Sequence, residues 1–156
     1  MVPRTSATIA IMDGSTCKAI YLHSSGYIGW AGWVLSNWYN TKEKAAKLIS
    51  LGGLSSLKKK VEPDKGVPHD FDHPAEDVTV AYCRDRGEPL SIMEYKDIAQ
   101  STDEELIKRL ADYTGSNYVY LFKENQWMVG AEFNFLPTEK KEYPGIKPLV
   151  LYPLVR

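Results

Sequence analysis
The chain has 156 residues, 44% hydrophobic and 25% charged, the make-up of one globular domain with a packed core, which excludes wholesale disorder. Its 19 basic and 20 acidic residues leave a formal net charge of −1, which argues against a dedicated nucleic-acid binder and leaves room only for a local basic patch. No apolar run reaches the ~18 residues of a membrane span, and "MVPRTSATIAIMDG" lacks the apolar core of a signal peptide. The expected location is therefore the cytoplasm, where Cys17 and Cys83, both in strand-like runs, should be reduced and buried.

The first predicted element is a hairpin. Thr8 to Met12 and Cys17 to Leu22 are strand-like, and Asp13-Gly14 between them is a strong turn signal. Alternation puts Cys17, Ala19 and Tyr21 on one face and Lys18, Ile20 and Leu22 on the other. Neither face is cleanly polar, so this strand should be covered largely on both sides. After a glycine-loosened loop, Trp30, Trp33, Val34 and Trp38 recur at helical spacing, and a short helix is expected to end near Asn40. Thr41 can cap a second helix, "KEKAAKLISL", that buries Ala45, Leu48 and Ile49 and stops at Gly52-Gly53.

Residues 57–77 read as an irregular surface loop with prolines and a lysine run. It leads into a strand, Val78 to Cys83. "PLSIMEYKDIAQ" is ambiguous between a short strand and a turn of helix. Ser101 with Glu104 forms a capping box for a helix that buries Leu106, Ile107 and Leu110 and ends at Gly115. "YVYLFKENQWMVGAEF" reads as a second hairpin turning at Glu124-Asn125, with an aromatic solvent face, and the tail "GIKPLVLYPLV" as an edge strand between prolines. The expected fold class is α+β. A mainly antiparallel sheet would carry two to three helices on one face, in two layers and one domain over 1–156.

Four stretches carry the residue types of chemistry. In "PHDFDHP", His69, Asp70, Asp72 and His73 supply imidazole and carboxylate ligands, yet the flanking prolines fit a plain turn with an Asx cap better than a metal set. His23 beside Ser24 and Ser25 has the ingredients of a base and a nucleophile, but no nucleophile elbow accompanies them. In "CRDRGEP", strand geometry would aim Arg84 and Arg86 to one side as a fork for phosphate or carboxylate, unless each clamps its own fold through Asp85 or Glu88. Lys58, Lys59 and Lys60 form a solvated run with no aromatic residue interleaved in sequence, so base stacking beside them is not expected. No catalytic residue, metal or cofactor is assigned.

"AIYLHSSGYIGWAG", "KLISLGGLSSL", "PHDFDHP" and "VTVAYCRDRGE" resemble, in that order, a group of short and mostly uncharacterised proteins encoded by phages and prophages. In that group a His precedes an aromatic and Asp-Gly-Tyr. Here His23, Gly26 and Tyr27 match, while Ser24 and Ser25 stand where the aromatic and the aspartate would be. The resemblance implies a mobile-element origin. It also implies an anti-defence inhibitor, such as an anti-CRISPR, that acts without catalysis on a host protein or protein–nucleic-acid complex. The partner- or anion-binding residues expected from the sequence are Arg84, Arg86, His23, Tyr27, Trp30, Lys58, Lys59 and Lys60. Trp33, Trp38 and Tyr39 would add anchors if exposed. The alternative is a protein that sequesters or cleaves a nucleotide signal. Oligomerisation through edge strands is left open.

Overall fold
The N-terminal run of β-branched and small residues forms β1 (Ala7–Asp13), and a tight turn at Gly14 and Ser15 returns the chain as β2 (Thr16–Leu22). The turn begins one residue later than the Asp-Gly signal implied, with Gly14 at φ 63°, a backbone that favours glycine. The structure, a computed structural model, describes residues 5–154. Met1 to Arg4 of the N-terminal stretch, and Val155 of the tail, lie outside the described residues.

A π-helical turn, Ile28–Gly32, runs into α1 (Trp33–Trp38), and α2 (Lys42–Ile49) follows, with the Thr41 hydroxyl accepting from the Lys44 N–H at 3.2 Å as expected of an N-cap. The chain then forms β3 (Leu54–Ser56), the long loop, β4 (Val80–Ala81), α3 (Tyr82–Arg86), β5 (Met93–Tyr95) and α4 (Asp103–Thr114). The remaining elements are β6 (Tyr118–Lys123), β7 (Gln126–Ala131), α5 (Pro137–Glu142) and β8 (Tyr152–Pro153).

Among the described residues the strands make one mixed, open, eight-stranded sheet in the order β4-β3-β2-β1-β6-β7-β8, with β5 also on β2. The pairings β1·β6 and β2·β3 run parallel and the others antiparallel. The α+β class holds, but the two-layer expectation does not. Ala7, Ile9, Ile11, Ile20, Leu22, Tyr118, Tyr120 and Phe122 point to one side, where α1 and α2 bury Val34, Leu35, Ala45, Leu48 and Ile49 against them. Ala10, Cys17, Ala19, Val119 and Leu121 point to the other, where α4 buries Leu106, Ile107, Leu110 and Ala111. Strands that are apolar on both faces need a helical layer on each. This also corrects the aromatic solvent face expected of the second hairpin, because Tyr118, Tyr120, Phe122 and Trp127 are core residues.

Three local expectations change as well. The Val78–Cys83 strand shrinks to Val80–Ala81, because the chain turns into α3 at Tyr82. Cys83 therefore sits part-buried on a helix, while Cys17 is fully buried and burial pushes its thiol up to about 12. The α4 capping box is Thr102 with Glu105, not Ser101 with Glu104.

Gly26 packs its backbone closely against the start of β1. A Cβ there would lie 2.9 Å from both the Ala7 Cβ and the Ser6 carbonyl carbon. Its N–H donates to the Thr5 carbonyl at 2.8 Å and its carbonyl accepts from the Tyr120 hydroxyl at 2.6 Å, so neither backbone can retreat freely. Gly26→Ala should therefore destabilise the protein by about 1–2 kcal/mol, read as a lower urea midpoint at unchanged slope.

Candidate functional site
The lysine run is fixed by its backbone. Lys60 and Val78 form an isolated parallel bridge, with the Lys60 N–H donating to the Asp77 carbonyl at 2.9 Å and the Thr79 N–H to the Lys60 carbonyl at 2.8 Å. The buried Thr79 hydroxyl accepts from the Lys58 N–H at 2.9 Å. The Tyr39 hydroxyl donates to the Lys58 carbonyl at 2.8 Å. Tyr39 is thus a buried support, and its phenol is pushed up to about 12, mainly by burial.

This anchoring carries the lysine side chains over the tryptophans. The Lys58 ammonium lies 5.4 Å from the Trp30 ring, and the Lys59 ammonium lies 5.7 Å from Trp33 and 4.9 Å from Trp38. The indoles themselves are contiguous, with Trp30–Trp33 at 5.9 Å and Trp33–Trp38 at 4.8 Å between centroids. The Trp30 Nε1–H donates to the Leu57 carbonyl at 2.8 Å, which fixes that ring. Trp33 is 45% exposed, and because it touches the half-buried Trp30 and Trp38 its exposure belongs to a contiguous aromatic surface and not to a lone side chain. Aromatic and basic residues that do not interleave in sequence therefore do so in space. Neither Lys58 nor Lys59 has a carboxylate partner among the described ion pairs, whereas Lys60 pairs with Asp64 at 3.1 Å.

Arg84 and Arg86 do not form a fork. On a helix, side chains two residues apart diverge by about 200°, and α3 sends the two arginines to different neighbours. Arg84 turns inward, donating to both carboxylate oxygens of Asp85 (2.8 and 3.0 Å), to the Thr79 carbonyl (2.7 Å) and to the Val61 carbonyl (2.5 Å). Asp85 also accepts from the Ala81 N–H at 2.8 Å and pairs with His69 Nε2 at 3.1 Å. The Asp85 and His69 side chains are each only 4% exposed. The Ala75 N–H donates to His69 Nδ1 at 2.9 Å, so the neutral ring carries its proton on Nε2, towards Asp85. Both ring nitrogens are thus engaged: Nδ1 closes the 57–77 loop on itself through Ala75, and Nε2 ties that loop to α3 through Asp85.

Arg86 stacks over Phe71 (4.3 Å) and Tyr82 (5.1 Å) and pairs with Glu88. His23 sits edge-on to Tyr82 at 6.5 Å, with its Nδ1 2.9 Å from the Tyr21 hydroxyl. The Ser24 hydroxyl donates to the Ser55 carbonyl at 2.9 Å. The Tyr27 carbonyl accepts from the Trp30 and Ala31 N–H groups, opening the π-helical turn. The His-Asp stretch does not converge. His69 faces Asp85, whereas the Asp70 carboxylate accepts from the His73 N–H at 2.7 Å in an exposed turn, which holds Asp70 below the usual carboxylate range. Among the described residues no group of three or more His, Cys, Asp or Glu could hold a metal ion.

Sequence reasoning did not single out Glu139. It lies on α5, buried, and accepts from the Ile28 N–H at 2.5 Å and from the Tyr118 hydroxyl. Burial pushes this carboxyl up, with the Tyr118 and Ile28 bonds opposing the rise in part. It holds the start of the tryptophan-bearing segment onto the sheet. Amid the charged "TEKKEY" run nothing marked it as an inward residue.

A scan against protein-family models, a search of curated proteins and a search of solved structures each found no match. Among the described residues no helix is long and apolar enough to cross a membrane.

Proposed function
We propose that this chain is a non-enzymatic binding protein of mobile-element type. It would inhibit a host defence or nucleic-acid-handling complex by stoichiometric attachment through the Trp30–Trp33–Trp38 surface and its lysines. One observation carries the reading: Trp33 stands 45% exposed in a contiguous indole patch capped by two lysines that have no carboxylate partner among the described residues. A solvated tryptophan within a contiguous aromatic patch is costly for a monomer, and tryptophan is among the residue types that most often anchor an interface. The lysines would steer an acidic partner surface. Arg84, His69 and Asp85 serve the scaffold in this reading, since every polar atom they present is already engaged within the fold. A nucleotide-signal reading would have to dispense with the arginine fork, because Arg84 and Arg86 diverge.

The test is phage challenge of bacteria that carry a panel of defence systems. Expression of the wild-type chain should restore plaque formation against at least one system, and Trp33→Ala should abolish the effect. An interface anchor of about 2 kcal/mol corresponds to an affinity loss of about 30-fold. Because Trp33 is exposed, the variant should keep the wild-type circular dichroism spectrum. Absence of rescue across the panel would sink this reading.

A further inference from the structure
The same patch fits one chemical class of partner better than others. We infer that it binds single-stranded nucleic acid, an inference that rests on the reading of this patch as the contact surface.

Three features of the surface support it. The indoles of Trp30, Trp33 and Trp38 touch at 5.9 and 4.8 Å between centroids and are inclined to one another by 43° and 66°, so their faces turn different ways, and every nucleobase offers a flat π-face to stack on one of them. Trp30 is locked by its bond to Leu57, so part of the platform is ordered before a ligand arrives. Lys58 and Lys59 are consecutive, yet one ammonium lies over Trp30 and the other between Trp33 and Trp38. They therefore bracket the platform.

The lysines' resting state matters equally. Lys42, Lys47, Lys60 and Lys108 each have a carboxylate within 3.3 Å. Among the described residues Lys58 and Lys59 pair with no carboxylate, and their ammoniums lie over rings. An exposed cation–π contact is weak, and a flexible ammonium leaves it readily for a phosphate. The move also uncovers the ring face on which a base would stack. Single-stranded rather than duplex nucleic acid is favoured because only an unpaired base presents its face, and a chain of net charge −1 with two bracketing amines is a poor match for a duplex. An acidic peptide would satisfy the amines but leave the ring faces without a planar partner.

Tryptophan fluorescence tests the inference directly. Trp127 is buried in the core, and the other three tryptophans of the four all lie in the patch. Titration with oligo(dT) should quench the emission saturably, with a duplex of equal length far weaker. Two phosphate contacts predict a log–log salt slope of about −1.4. Trp33→Ala should weaken binding by about tenfold or more. Lys58→Gln with Lys59→Gln should bring the slope towards zero while the circular dichroism spectrum stays unchanged. Three results each overturn the inference: no quenching by oligonucleotide, equal affinity in Trp33→Ala, or saturable binding of poly-glutamate in place of oligo(dT). The last identifies an acidic protein as the partner instead. Phage rescue that depends on Trp33, without oligonucleotide binding, would overturn this inference and leave the inhibitor reading standing. Oligonucleotide binding without rescue would do the reverse.

Discussion

Asp85→Ala is expected to lower stability by about 3 kcal/mol and the melting temperature by roughly 6–12 °C, given about 2–4 °C per kcal/mol in a chain of this size. The carboxylate gathers Arg84, His69 and the Ala81 N–H at 2.8–3.1 Å. Its removal leaves the Arg84 guanidinium uncompensated in a part-buried position and the Ala81 N–H without its acceptor. The loop over 57–77 should loosen with it, because His69 loses the partner that ties that loop to α3. Thermal melts and urea titration measure the loss.

The pH dependence of Asp85 has a definite sign. Burial alone would raise its pKa, but the bonds from Arg84, Ala81 and His69 outweigh burial and hold it below the ordinary 3.8. A depressed folded pKa contributes stability that is present above the unfolded value and is lost as pH falls through the folded one. The wild type should therefore lose part of its stability in strong acid, and Asp85→Ala should show a flatter acid limb. An unchanged acid limb in the variant would refute the assignment.

Glu139→Ala is expected to cost about 2–4 kcal/mol, because two buried donors, the Ile28 N–H and the Tyr118 hydroxyl, lose their acceptor. Its pH signature runs opposite to that of Asp85. Burial raises the Glu139 pKa above 4.5. Its contribution is then full below the unfolded value and is lost as pH rises through the folded one. Glu139→Gln keeps one acceptor oxygen and should cost less than Glu139→Ala while removing that pH dependence. Differential melts of the three proteins across mildly acidic to neutral pH make the comparison. A Glu139→Gln variant that retains the wild-type dependence would show that Glu139 is not its source. Because Glu139 secures the N-terminal end of the segment that carries Trp30 and Trp33, loosening it should also reduce patch binding without altering a contact residue.

Much of the local structure is legible in the sequence. Both hairpins and the Thr41 and Gly115 helix ends follow from turn and cap chemistry, which depends on a few neighbouring residues. At Glu124-Asn125 both residues adopt positive φ, 53° and 59°, as a two-residue hairpin loop demands. The cap of α4 misleads because Ser101–Glu104 and Thr102–Glu105 have the same spacing, and only tertiary packing chooses between them. α3 is hidden because "VTVAYC" has the composition of a strand. What breaks it is Asp85, whose carboxylate takes the Ala81 N–H that a longer ladder would have used.

The layer count turns on a hint visible in β2, whose residues are apolar on both faces. The same is true of β1 and β6, and that property, applied to the whole sheet, requires helices on both sides. The members of the candidate surface are legible by residue type; their assembly is not. Trp30, Lys58 and Lys59 stand out by type, but their meeting depends on the Lys60–Val78 bridge and on Tyr39, which sequence spacing does not reveal.

The parallel pairing of β1 with β6 sets a temporal constraint on synthesis. Ala7 pairs with Tyr118, so one long edge of the N-terminal hairpin, complete at Leu22, has no neighbour until roughly a hundred further residues have left the ribosome. At ordinary elongation rates of ~5–20 residues per second the wait is on the order of 5–20 s. During that interval the Ala7–Asp13 strand, apolar on both faces, is open to other strands and to chaperones. High yield of this protein should therefore depend more on slow expression and low temperature than its final stability would indicate.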